Sequence, residues 1–458
     1  MIRIVLAAVA LALVPVVSGA GEPAVHLSVR PMPAPKPALR YQLLPEVGEL
    51  NPGNPAQYYL RCFCEQRNFF FSKEAVAERA RYRSMPLAEL PADQLRDYGK
   101  GPLQQADWAA RLDALDWQAQ PRLKAEGMGL ALPELGPLRI LAAALQVRFR
   151  AEVAGRRFDD AVRTAKTSFA LARHLGEHPT VAANLVGLWV ADLPLDTLEE
   201  MVQQPGCPNL YWALTDLPGP LVELRKGLQG DGVLVAADLR PLRNDAPMTA
   251  DELNEVVSSV FGRIGFAREQ TGQAPRNLRA ELRARVKDPS RVRAARRRLV
   301  EAGCAEGRVR EFPPTQVILL DEKRAYQVRR DEDMKLLALA PWQIDTLVRG
   351  EDWGRGGEGL LADLAPDVLK ARRTQGRLEQ RVALLRHVEA LRLYAAAHHG
   401  RLPAKLADLP VPLPDDPSTG KPFRYRLDGA TGHLIGSPSR GEDKNPAYNI
   451  HYEVRIRK

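Results

Sequence analysis

Along most of the chain, apolar residues recur at intervals of three and four, the spacing of one helical face. Leu138, Leu141, Leu145 and Phe149 form one stripe; after a turn at Ala154-Gly155-Arg156, a second follows at Phe158, Val162, Ala165, Phe169 and Ala172. Together they predict a helical hairpin. Asn54-Pro55 supplies an N-cap and a first helical residue, opening an aromatic-rich helix with Tyr58, Tyr59, Cys62, Phe63 and then Phe69 to Phe71, all expected in the core. Trp108, Leu112, Leu115 and Trp117 are spaced for one helical face. Thr249 and Glu252 make a capping box ahead of Leu253, Val256, Val257, Val260, Phe261 and Ile264. After Pro313-Pro314, with Thr315 as N-cap, a long helix is predicted to about Leu339, burying Val317, Leu320, Ala325 and Val328.

The pattern changes near residue 378. Leu378, Val382, Leu385, Val388, Leu391 and Tyr394 stripe a helix that ends at His398-His399-Gly400, with the glycine as C-cap. Beyond it the period falls to two. Phe423 to Leu427 reads as a strand, Asp428-Gly429 as a hairpin turn, Thr431 to Ile435 as its partner and Ile450 to Ile456 as a last strand. The fold class is therefore mainly α: helical hairpins followed by a small α+β C-terminal module.

The other end reads as an export signal. Met1-Ile2-Arg3 is a short positive region, Ile4 to Val17 an uncharged apolar run, and Ser18-Gly19-Ala20 a small-residue cleavage site, so the mature chain is expected to start at Gly21. The competing reading, an uncleaved anchor, is disfavoured because the run is short and holds Pro15. No later segment reads as a membrane span. The expected organisation is a signal peptide over 1–20, a proline-rich arm serving as a tether over 21–54, a helical domain over 55–245, a second helical segment over 246–349, a linker and charged helix over 350–377, and the C-terminal module over 378–458. The best interior boundary is the glycine-rich stretch from Gly350 to Gly359.

A net charge of +9 on an exported chain points to acidic envelope surfaces: anionic polymer, lipid or another envelope protein, rather than nucleic acid. The charge concentrates between Pro275 and Arg298, where Arg279, Arg283, Arg293, Arg296, Arg297 and Arg298 are the candidate anion-binding residues. An ordinary solvated helical face explains the same arginines without a partner.

Local signatures of catalysis are lacking. The glycines at 227, 230 and 232 follow no strand and end in no Gly-Lys-Ser/Thr, so they make no phosphate loop. Gly-x-Ser-x-Gly does not occur. His174 and His178 are read as surface residues at a helix end, and the pairs Asp159-Asp160 and Asp415-Asp416 as solvent-facing turns. Cys62, Cys64, Cys207 and Cys304 lack zinc-site spacing; buried free thiols are preferred narrowly over one long-range bridge. No cofactor is expected.

Two resemblances add to this. Gly155-Arg156-Arg157-Phe158-Asp159-Asp160-Ala161-Val162 resembles the inter-helix turn of a tetratricopeptide repeat, without a second copy 34 residues away. Leu391-Arg392-Leu393-Tyr394 through Gly400-Arg401-Leu402-Pro403, then Leu406 to Leu409 and Asp416-Pro417 through Gly420-Lys421-Pro422-Phe423-Arg424-Tyr425, resembles the periplasmic part of the major, G-type pseudopilins of type II secretion. That resemblance implies a helix packed on a small antiparallel sheet and a calcium-holding loop between the later strands, for which Glu442, Asp443 and Asn445 are the weak candidates. The filament-forming N-terminal helix of a pseudopilin has no counterpart, since Lys370, Arg372, Arg373 and Arg377 precede the matching helix here. The remainder is similar in style to families of exported bacterial proteins. The expectation is a structural or interaction component of the cell envelope; the rival is an envelope hydrolase without a local motif.

Overall fold

A computed structural model describes residues 24–270, 272–348 and 359–457. The signal segment 1–20, and the stretch from Gly350 to Gly359 except its last residue, lie outside the described residues. The chain opens with strand β1 (Ala24–Val29) and continues through α1 (Pro55–Glu65), α2 (Arg67–Phe71), α3 (Lys73–Ser84), α4 (Gln104–Ala109) and α5 (Gln120–Glu126). Three long helices follow, α6 (Leu135–Ala154), α7 (Phe158–Gly176) and α8 (Val181–Met201), then α9 (Tyr211–Thr215) and α10 (Arg225–Asp238). Next come α11 (Ala250–Gln270), α12 (Leu278–Lys287), α13 (Pro289–Glu301), α14 (Glu306–Glu311), α15 (Pro314–Lys335), α16 (Pro341–Leu347) and α17 (Val368–Ala397). The hairpin β2 (Arg424–Asp428) and β3 (Thr431–Ile435) and the last strand β4 (His451–Ile456) complete the chain. The fold is mainly α with a small α+β module at the C-terminus.

Local chemistry explains many of the boundaries. Asn54 Oδ1 accepts from Ala56 N at 3.1 Å, capping α1 with Pro55 in its first turn. Thr249 and Glu252 exchange the reciprocal bonds of a capping box ahead of α11. The two-residue turn after Asp428 closes β2 onto β3, with Gly429 at φ +56° where a side chain would be strained. By contrast α15 starts at Pro314, not after Thr315, because a first-turn proline lacks an N–H that would go unpaired anyway. Tyr326 rather than Ala325 or Val328 faces inward; both of these are exposed, Val328 by 49 %.

The expected stripe from Trp108 to Trp117 is not a helix. α4 stops at Ala109, and the following chain is held extended by Asn54 Nδ2, which donates to Asp116 O at 2.7 Å. Trp108 is left exposed, while Trp117 Nε1 donates to His174 O at 3.0 Å. Tertiary hydrogen bonds override the periodicity there.

The proline-rich arm is not a tether. Its residues Ala24–Val29 pair in parallel with β4, giving the sheet order β1-β4-β3-β2. The alternation of Val25, Leu27 and Val29 supplies an apolar face, and Leu27 and Val29 are buried in the main core. That same core takes in α6, α7, α8, α17 and the inner face of the sheet at Leu434, Tyr452 and Val454. The expected boundary at residue 378 falls inside the continuous helix α17, whose charged first turns are paired: Arg372 with Glu379 at 3.1 Å and Arg373 with Asp345 of α16 at 3.1 Å. The C-terminal module is thus built onto the helical hairpins through one shared interior. A second core joins the end of α10 to α11, α12, α13 and α15, from Val235 to Leu361.

Among the described residues one helix, α8, is long and apolar enough to cross a membrane, which the sequence reading did not expect. In the fold it is a central helix: 72 % of its apolar window is buried against the protein itself. A helix apolar all round is what a central position requires.

Candidate functional site

The basic stretch folds as α12 and α13, both packed on α15 through Leu278, Leu282, Val292, Ala295 and Leu299. Asn277 caps α12 and Asp288 caps α13, so Asp288-Pro289-Ser290 is the break between them. The fold divides the six candidate arginines. Arg298 donates to both carboxylate oxygens of Asp321 on α15, and Arg296 donates to Phe312 O at 3.0 Å. Their neighbours Arg276 and Arg285 are held in the same way, by Glu281 with Asp363 and by Glu322. Arg279, Arg283, Arg293 and Arg297 remain exposed. Among the described residues Arg279 reaches only the Ser258 hydroxyl, and Arg297 only an exposed Glu301 at 3.8 Å. Arg283 and Arg293 form no ion pair with a described residue. Arg279, Arg283 and Lys287 are spaced four apart on α12, as Arg293 and Arg297 are on α13, so each helix displays a cationic row.

Of the calcium candidates, Asn445 and Glu442 bond to each other within the loop. Asn445 Oδ1 accepts from Ala447 N at 3.2 Å, and its amide nitrogen donates to Glu442 Oε2 at 3.0 Å. Asn449 Nδ2 points at the carbonyl oxygens of Glu442, Asp443 and Asn445, the last two at 2.9 Å. That amide occupies backbone carbonyls of the loop and leaves the carboxylates of Glu442 and Asp443 out of its bonds.

Other expected surface groups are buried or half-buried. His178 is buried with Thr180 Oγ1 2.9 Å from its Nδ1, and His174 Nδ1 lies 2.9 Å from the Tyr59 hydroxyl. Burial, reinforced by Arg173, pulls His174 down to about 4, so it is neutral at physiological pH. They are not a surface helix end, because α7 runs into a loop covered by α10 and the segment around Trp117. Asp416 is buried as well; it accepts from Gln380 Nε2, Ser418 N and Ser437 N at 2.8–2.9 Å, pinning its turn to α17. Arg381 on α17 similarly gathers Asp192, Asp196 and Glu199 of α8, and Tyr452 of β4 donates to the same Glu199. These networks join elements rather than line a cleft.

All four cysteines are free: Cys62 and Cys207 are buried, Cys304 half-buried and Cys64 exposed. Burial pushes the thiols of Cys62 and Cys207 up to about 12, which leaves them inert as nucleophiles.

A cleft of about 350 Å³ between α10 and α11 contains Asp231, Arg263 and Asp363. Arg263 is paired with Asp238 at 2.9 Å, and Asp363 with Arg268 and Arg276. Among the described residues Asp231 has only Val181 N, at 3.2 Å, and burial pushes its carboxyl up to about 7. A carboxyl with a raised folded-state value favours folding while both states hold the proton. Stability therefore falls as pH rises from about 4, where the unfolded carboxyl ionises, to about 7, and is flat above. Asp231→Asn keeps the acceptor for Val181 N and removes the charge. Urea unfolding is expected to show the variant close to wild type at pH 4 and more stable at pH 8, by on the order of 4 kcal/mol. A constant difference across that range would contradict the assignment.

One grouping went unnoticed in the sequence. His433 on β3 and His451 and Glu453 on β4 bring their donor atoms within 4.8 Å of one another. The period-two pattern was the available signal, since positions 451 and 453 share a face and 433 falls in the partner strand. Their pairing register was not legible. No family model, curated protein or solved structure matches this chain.

Proposed function

We propose that this chain is an exported, non-catalytic interaction component of the cell envelope that docks on an anionic surface through α12 and α13. The observation that carries this reading is that, among the described residues, Arg279, Arg283, Arg293 and Arg297 are exposed with no carboxylate but Glu301, beside Arg297, while neighbouring arginines are consumed by Asp321, Glu322 and Asp363. Rows of exposed cations on two adjacent helices, met among the described residues only by Glu301 beside Arg297, attract polyanions. The pseudopilin-like order of α17, then the meander β2-β3-β4, supports an envelope setting. The hydrolase reading has less behind it: in the α10–α11 cleft, Asp231 is the one lining carboxyl without an ion-pair partner among the described residues.

Sedimentation with vesicles of anionic or zwitterionic phospholipid tests the docking. The chain is expected to bind the anionic vesicles alone and to release with salt. Reversing Arg279, Arg283, Arg293 and Arg297 to glutamate is expected to weaken binding by on the order of a hundredfold or more, at about 1 kcal/mol per cation at the surface. Binding unaffected by salt and by the reversals would sink the proposal. Cell fractionation with N-terminal sequencing tests export: the mature chain should begin at Gly21 outside the cytoplasm.

A further inference from the structure

The outer face of the sheet carries a histidine grouping that the helical interior does not explain. Strand β4 pairs with both β1 and β3, and Glu453 faces His26 on one side and His433 on the other. His451 lies two residues earlier on the same face, diagonal to His433. Tyr452 and Val454 point the other way, into the core. Three strands from opposite ends of the chain thus deliver three imidazoles and one carboxylate to a single patch.

The distances suit a metal. His433 Nδ1 lies 3.1 Å from His451 Nε2 and 3.7 Å from Glu453 Oε1. Donor atoms on a tetrahedral zinc-class ion, bound at roughly 2.0–2.1 Å, stand about 3.4 Å apart, between those two values. His26 Nδ1 contacts the second carboxylate oxygen, Glu453 Oε2, at 2.8 Å, and its ring is exposed enough to turn. The patch is half-sheltered, with the His433 side chain 11 % exposed and Glu453 21 %. Two cations are close. Arg455 is turned aside by its bond from Nε to Thr431 Oγ1 at 2.9 Å, and Arg426, opposite His433, is exposed. Imidazole with one carboxylate selects a borderline divalent ion such as zinc over calcium or magnesium.

We infer that His433, His451 and Glu453 bind a zinc-class divalent ion, with His26 closing the fourth position. The ion would bridge β1 to β3 and β4, clipping the N-terminal strand of the chain to its C-terminal strands. Such a clip has a clear use here, because β1 is an edge strand held by one neighbour only.

The test uses the full chain, stripped with chelator and titrated with zinc chloride by calorimetry. One equivalent is expected to bind. His433→Gln with His451→Gln should abolish that binding, and His26→Ala should weaken it by at least about tenfold. His398→Gln with His399→Gln, altering the exposed pair at the end of α17, should leave it unchanged. Cobalt(II) added to the wild-type chain gives a readout independent of any variant's folding. Intense visible bands of a four-coordinate nitrogen–oxygen site are expected, and the pale spectrum of a six-coordinate ion would overturn the assignment. So would an absence of zinc binding by wild type, or binding that survives the double glutamine substitution. Unchanged affinity in His26→Ala would remove His26 from the ligand set.

Discussion

Replacing Arg392 by methionine is expected to cost about 3–5 kcal/mol of stability, measured by urea unfolding at neutral pH. Arg392 is fully buried on α17, and its guanidinium donates to both oxygens of Glu389, at 3.0 and 2.8 Å. It also donates to the carbonyls of Arg30, Cys207 and Pro208 at 3.0, 2.7 and 3.2 Å. Its own carbonyl accepts from Met32 N at 3.2 Å. One side chain therefore fastens the segment after β1 and the loop before α9 to the central helix. Methionine fills much of the volume but strips the buried Glu389 carboxylate of its cation and the carbonyls of Arg30, Cys207 and Pro208 of their guanidinium donor, and each group so deprived bears its own desolvation cost. Burial already raises the Glu389 carboxyl, and losing the cation would raise it further, so the loss should shrink at low pH. The double variant Arg392→Met, Glu389→Leu should recover part of the stability, since removing both charges is less costly than removing one. A loss below about 1 kcal/mol in the single variant would mean that water reaches the pair.

Gly230→Ala is expected to destabilise by about 3 kcal/mol, near the upper end for overpacking a rigid contact. A Cβ there would fall on the carbonyl oxygen of Pro179 and lie 2.8 Å from its carbonyl carbon, so backbone must move. Gly227 is as tight: a Cβ would meet Asn184 Oδ1 and lie 2.8 Å from the backbone of Thr180. Asn184 cannot swing aside, because its amide donates to the carbonyls of Leu175, Gly176 and His178 at 2.9–3.1 Å. Gly232, in the same helix, has as its nearest neighbour the movable guanidinium of Arg330, at 3.3 Å. There alanine should be neutral, or stabilising by about 0.5–1 kcal/mol through helix propensity. Thermal melts of the three single variants should separate Gly227 and Gly230 from Gly232; equal effects at all three would refute the close-approach explanation.

The sequence by itself determined the class of the fold and much of its local structure. The hairpin stripes of α6 and α7, the Asn54 cap, the Thr249–Glu252 box and all three C-terminal strands follow from short-range chemistry: period, capping geometry and turn residues. Basic character between 275 and 298 was equally legible, because charge is additive along a chain.

What tertiary structure decided depends on which residues meet across long separations. The arm became an edge strand because β4, more than 400 residues later, offered a register for Leu27 and Val29. Only packing on α15 told Arg298 and Arg285, neutralised by Asp321 and Glu322, from Arg283 and Arg293. His178 and Asp416 look like surface residues in sequence, and are interior because segments from elsewhere in the chain close over them; His174 is half-buried for the same reason. The His433, His451 and Glu453 grouping needs a strand register, and His26 needs the two ends of the chain side by side. Local pattern fixes which face a residue takes; what stands opposite that face is set by the long-range pairings that close the core.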